Sequence, residues 1–179
     1  MAVKGASACE YRKDRLMTKR IVSLFIALVI PVALMFTGCK GGGKPLTIQE
    51  YLDTLTADVK DYTAAAKELS AIDSTTFTDQ AVKARHDKAK DVCGKMEKAL
   101  DKFADINPPQ NYSEKHKNLL TAVENERKFV KASEKLLTST AIADIEAAKN
   151  ELETIYNLPT EQNFASVALD IIKELKAAQ

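Results

Sequence analysis

Between Leu46 and Gln179 the chain has one glycine, Gly94, and three prolines, Pro108, Pro109 and Pro159, so the residues that interrupt helices are confined to a few points. Almost everything else there is Ala, Leu, Lys, Glu, Asp and Thr, with apolar residues at helical spacing. The fold is thereby restricted to an all-α architecture. Thr47, followed three places on by Glu50, has the pattern of a capping box. From there Ile48, Leu52, Leu55, Val59, Tyr62, Ala66 and Leu69 recur at alternating steps of four and three, a heptad seam of the kind that packs helices at a shallow angle. Ile72-Asp73-Ser74-Thr75-Thr76 closes this helix.

A second helix is expected over 78–105, with Val82, Ala89, Val92, Cys93, Met96, Ala99, Leu100 and Phe103 in a wider stripe. Gly94 inside it costs about 0.5–1 kcal/mol relative to Ala. A neighbouring helix in close approach is the expected reason for it. Asn107-Pro108-Pro109 is a hard break, because neither proline donates an amide and the first restricts the residue before it. Helix three then runs from Tyr112 or Ser113 to about Leu137, carrying Leu119, Leu120, Val123, Phe129, Val130, Leu136 and Leu137. Thr138-Ser139-Thr140 offers capping hydroxyls to a fourth helix with Ile142, Ile145, Ala148, Leu152 and Ile155. After Asn157-Leu158-Pro159-Thr160, a last amphipathic piece holds Phe164, Val167, Ala168, Ile171, Ile172 and Leu175. Short loops force neighbours to run antiparallel. The expectation is an antiparallel up-down helical bundle of four to five helices over residues 47–179, with Pro159 either kinking one long last helix or separating two short ones.

The first 46 residues are of a different kind. Lys19-Arg20 precedes an uncharged run from Ile21 to Gly38, whose apolar part is interrupted only by Ser23 and Pro31 and which closes on the small residues Thr37-Gly38 before Cys39. A basic n-region, an apolar h-region and small residues at a cut describe a secretory leader. Leu34-Met35-Phe36-Thr37-Gly38-Cys39 resembles the lipobox of bacterial lipoproteins, a family defined by its processing signal; Phe36 stands where that family usually has Leu. The resemblance implies cleavage before Cys39, attachment of diacylglycerol to its sulfur, and a lipid-anchored, extracytoplasmic protein at the cell membrane or outer membrane. An uncleaved signal anchor is the alternative, since the uncharged run is at the lower edge of the about 17–25 residues a spanning helix needs. Glu10, Asp14 and Cys9 stand ahead of an n-region already complete from Met17, so translation is expected to start at Met17; an extended leader is the alternative and gives the same mature protein. Residues 1–38 are thus leader and signal peptide, and 39–46 are lipidated cysteine plus tether. Lys40-Gly41-Gly42-Gly43-Lys44-Pro45 reads as flexible coil; no Ser or Thr follows its lysine, so it is not a phosphate-binding loop.

Residues 1–38 hold six of the 26 basic and two of the 25 acidic residues, so the chain from Cys39 onward carries a formal charge of about −3. A mildly acidic, evenly mixed surface argues against nucleic acid as a partner and adds no polybasic support to a lipid anchor. With Cys9 in the leader and Cys39 committed to lipid, Cys93 is the one thiol left and is expected to be a small buried hydrophobe.

Only His86 and His116 are available for imidazole chemistry. His86 precedes Cys93 by two turns, about 10.5 Å along the axis, too far for both to bind one ion readily. The carboxylate-bundle pattern needs Glu three residues before each His; those places hold Lys83 and Ser113. No H-E-x-x-H, G-x-S-x-G, cysteine pair or EF-hand loop occurs. Glu124, Glu126, Glu146, Glu151 and Glu153 alternate with lysines, as on a solvated helix face. Tyr62 is expected in the core. Tyr112, beside the double proline, and His116, in the first turn of helix three, are the candidates for partner contact, His116 over a partner's carboxylate or as a pH-sensitive contact; the alternative for His116 is a boundary histidine half covered by its neighbours. Neither catalytic residues nor a cofactor or metal are expected. The reading is a non-enzymatic binding or structural module at the cell envelope with a protein or envelope partner. Its alternative is a bundle holding a small apolar ligand or metal between helices, with a cavity near Gly94, Cys93 and Met96. An envelope hydrolase comes third and would need a cleft converging on His86 or His116.

Overall fold

Thr47 sets the first helix as its sequence prescribes. Its hydroxyl accepts the Glu50 amide at 3.2 Å while the Glu50 carboxylate accepts the Thr47 amide at 2.8 Å, so two orphan donors are satisfied reciprocally. The computed structural model describes residues 44–72 and 78–179, all within one compact unit, Leu34–Gln179. The leader, the Met17 start, Cys39 and the glycines of the tether lie outside the described residues.

The described residues hold five α-helices: α1 (Ile48–Ser70), α2 (Asp79–Ala104), α3 (Ser113–Thr138), α4 (Ile142–Tyr156) and α5 (Phe164–Ala177). Short 3-10 turns at Gln110–Tyr112 and Thr160–Gln162 follow the proline breaks. The fold is an all-α helical bundle, and no strand occurs among the described residues. Thr78 caps α2 by accepting the Ala81 amide, and Asn163 caps α5 by accepting that of Ser166. Hydroxyl capping of α4 is less direct than expected. Ala141 occupies the cap position and has no side-chain bond to give. Ser139 instead accepts the Ala141 amide at 3.2 Å, while Thr138 donates back to Glu134 inside α3.

Cross-helix ion pairs fix the directions. Lys95 meets Glu68 at 3.0 Å and Lys102 meets Asp61 at 2.6 Å, so α1 and α2 run antiparallel. Arg127 joins α3 to Asp101 of α2 at 2.7 Å. Lys135 pairs with Asp144 at one end of α3 and Lys115 with Glu174 at the other, so α4 and α5 both run against α3. Pro159 therefore separates two short helices laid end to end, and Asn125 in the middle of α3 donates its amide to the Gln162 carbonyl at that junction. α5 wedges between α1 and α3; α4 packs substantially against α3 alone.

The core of α1 is displaced from the expected seam. Tyr51, Leu55, Asp58, Tyr62 and Ala65 are buried along one heptad line, with Leu52 and Val59 beside it, whereas Ile48, Ala66 and Leu69 are only half-buried. Both lines share Leu55 and Tyr62, and a helix flanked by α2 and α5 must bury a wider stripe than a two-helix seam. At the centre Phe164 of α5 stands edge-on to Tyr62 (5.1 Å between centroids) and to Phe103 (5.3 Å), joining three helices through one ring.

Gly94 corrects a second expectation. A Cβ built on it meets nothing within 4 Å, so no helix approaches closely there. The position is half-exposed on an ordinary helical turn, and only the entropic cost of glycine remains. Gly94→Ala is expected to raise stability by about 0.5–1 kcal/mol and Tm by about 2–6 °C, read by thermal denaturation; a lower Tm would mean that the open space is occupied.

Candidate functional site

The sequence-expected site residues do not converge. His86 is half-buried on α2, while Cys93 on the same helix is fully buried, its thiol pushed up to about 12 by desolvation. An uncharged thiol in that setting is packing, as expected. Among the described residues no group of three or more His, Cys, Asp or Glu side chains is placed to hold a metal ion.

Tyr112 and His116 are inside rather than at the surface. The 3-10 turn after the double proline swings Tyr112 against Tyr51, with ring centroids 5.9 Å apart, and leaves it 7 % exposed. His116 is 4 % exposed, and its Nδ1 lies 3.0 Å from the Tyr51 hydroxyl. With the phenol donating to Nδ1, the proton of the neutral ring sits on Nε2, which has no hydrogen-bond partner. The opposite assignment would orphan the phenol proton as well. Burial lowers the tendency of the ring to protonate; the Phe103 carbonyl opposes this electrostatically but is not at hydrogen-bonding geometry to Nε2. The trio ties α1 to α3 at the pole where the chain enters α1, since the Leu46 amide donates to the Asn107 carbonyl at 3.0 Å. Neither side chain presents a face to a partner in this arrangement.

A second constellation escaped the sequence reading. Glu126, expected on a solvated face, is half-buried, and it accepts a hydrogen bond from the Tyr62 hydroxyl across the bundle. Its spacing held the signal: it lies three residues after Val123 and four before Val130, both buried, so it occupies an inner heptad place. Desolvation pushes its carboxyl up to about 7, with the Tyr62 bond pulling the other way. Tyr62 itself is raised well above the ordinary phenol by burial and by the adjoining carboxylate. Tyr156, at the end of α4, is pushed up to about 12 by burial and by Glu126, and its ring stands edge-on to Phe129.

Asp58 is the second carboxylate drawn out of water. Burial raises it to about 6 against the pull of Lys102, whose Nζ lies 3.7 Å from Asp58 and 2.6 Å from Asp61. This is a cross-brace between α1 and α2, and the Lys102 ammonium is held charged chiefly by its bond to Asp61.

Among the described residues, one shallow depression lies between α3 and α5 beside Lys115 and Glu174, and another over the α1–α2 ion pairs beside Lys95 and Lys102. Neither reaches the buried Cys93 and Met96, where the ligand-holding alternative places its cavity. No described helix is long and apolar enough to cross a membrane. No family model, curated protein or solved structure matches the chain.

Proposed function

We propose that the chain is a lipid-anchored extracytoplasmic lipoprotein whose helical bundle serves as a non-enzymatic binding or structural module at the cell envelope. The observation that carries this reading is the leader ending in Leu34-Met35-Phe36-Thr37-Gly38-Cys39, followed at once by a glycine-rich tether. Two features are in keeping with it. The chain enters the bundle at the pole formed by the start of α1 and the α2–α3 loop, so an anchored bundle would direct its opposite end away from the lipid. Two inward polar pairs tie helices together, Tyr51 to His116 and Tyr62 to Glu126. The partner is a protein or envelope component.

Fractionation of cells that express the wild type and Cys39→Ala tests the placement. The wild type is expected in the membrane fraction and released only by detergent, with the variant accumulating as unprocessed precursor. Wild-type protein recovered as freely soluble chain would overturn the reading.

A further inference from the structure

The weakest seat in the bundle belongs to α4. Of its fifteen residues only Ala148 and Leu152 are buried, Ile142 is 74 % exposed and Tyr156 40 % exposed, and α3 is its one substantial neighbour. It is bounded by short irregular stretches, 139–141 before it and 157–159 after it, while the 3-10 turn beyond, Thr160–Gln162, stays tied to α3 through the Asn125–Gln162 bond. Both ends are pinned by polar or aromatic contacts rather than by deep burial. At the start Lys135 pairs with Asp144 at 3.0 Å. At the end Tyr156 meets Phe129, with centroids 6.0 Å apart, over the region where Glu126 bonds to Tyr62.

The surroundings of Glu126 are one-sided. From α1 it accepts the bond of the Tyr62 phenol, and from α4 the phenol of Tyr156, packed on Phe129 one turn along α3, is near enough to feel its charge. Cys93 of α2 stands beside Tyr62, and Phe164 of α5 covers the other side of the Tyr62 ring. On α3 itself Arg127 is committed to Asp101 and Glu124, at 2.7 and 3.2 Å. Among the described residues no cation is paired with the Glu126 carboxylate. A carboxyl so placed is stable when neutral; once ionised it must gain water. The side from which water can reach it at least cost is the one closed by α4, because α1, α3 and α5 are held by the large buried side chains Tyr62, Val130 and Phe164.

We propose that Glu126 is a proton-operated latch for α4: neutral, it is roofed by the Tyr156 end of the helix, and ionised, it releases α4 from α3 and opens the apolar side of both. The transition falls near neutral pH, so a shift of pH outside the cytoplasm would expose or cover Phe129, Leu152 and the face around them. No bond other than the O–H of Glu126 is made or broken, and the proton goes to bulk water.

Hydrogen exchange of the full chain at pH 6, 7 and 8, corrected for the intrinsic pH dependence of amide exchange, reads the latch directly. Linkage predicts that protection of α4 amides falls roughly tenfold between pH 6 and pH 8 while the centres of α1, α2 and α3 keep theirs. In Glu126→Gln, which retains an acceptor for Tyr62, α4 protection should not change over that range. The proposal is overturned if wild-type α4 protection is constant with pH, if all helices lose protection together, or if the Gln variant shows the same fall.

Discussion

Phe164→Ala is expected to cost about 3–5 kcal/mol, the range for removing a fully buried aromatic ring. Phe164 is 1 % exposed and lies edge-on to both Tyr62 and Phe103, so truncation removes two ring contacts and opens a cavity where α5, α1 and α2 meet. The neighbours cannot collapse into the space easily. Tyr62 is held by its bond to Glu126, and Phe103 lies in the last turn of α2, whose next residues are fixed by the Pro108-Pro109 break. Against a total of about 5–15 kcal/mol for a domain of this size, the loss is large enough to unfold a substantial fraction of the chain at growth temperature. Urea denaturation should show the midpoint falling with little change in slope. A loss below about 1 kcal/mol would mean that α5 is not seated as described.

Glu126→Gln is expected to act in the opposite direction and only above acid pH. The carboxyl is raised from its ordinary 4.5 to about 7 in the fold, so its contribution to stability is full below pH 4.5 and is lost as pH rises through 7. At pH 8 the wild type therefore carries a penalty of about 2–3 kcal/mol that the neutral amide removes. Near pH 4.5 the two proteins should be equally stable. Asp58, raised to about 6, adds a dependence of the same sign, but it is common to both proteins and drops out of the difference. Denaturant melts at the two pH values decide the matter. An equal gain at both would assign the effect to packing, and a loss at pH 8 would mean that the ionised carboxylate is well solvated.

Helix positions, the Thr47 cap and an interruption at Pro159 follow from local rules, because each depends on residues within one turn: a hydroxyl, a carboxylate three places on, a missing amide; that Pro159 separates two helices rather than kinking one is decided by their contacts with α3. Tyr62 was placed correctly in the core for the same reason, its position on a heptad line. The errors concern what only tertiary contact decides. Tyr51 and His116 are 65 residues apart, and Tyr62 and Glu126 are 64 apart, so no local window shows that either polar pair will meet inside the bundle. Glu126 also resembled a surface residue because charged neighbours surround it, although its heptad place matched Val123 and Val130. Ile142 misled in the other direction. An apolar residue at the start of a short helix suggests core, but α4 has only one neighbour to bury it against, and it stays 74 % exposed. Gly94 carried no packing information at all.

The buried polar pairs also bear on what kind of module this is. A bundle needs only apolar seams to fold, and an unpaired buried phenol or carboxyl costs about 1–3 kcal/mol. Tyr51 with His116 brackets the pole where the chain enters, while Tyr62 with Glu126 lies at mid-length beneath the loosest helix. The first pair is suited to keeping closed the end at which the chain enters α1. The second sits where release of α4 would expose apolar surface.

The fate of Cys39 in the cell decides whether the bundle is held at a membrane. Mass spectrometry of the N-terminal peptide from membrane-extracted protein measures it directly. The expected species begins at Cys39 and carries a thioether-linked diacylglycerol on its sulfur. A peptide that continues upstream through Phe36-Thr37-Gly38 into an unmodified Cys39 would contradict it.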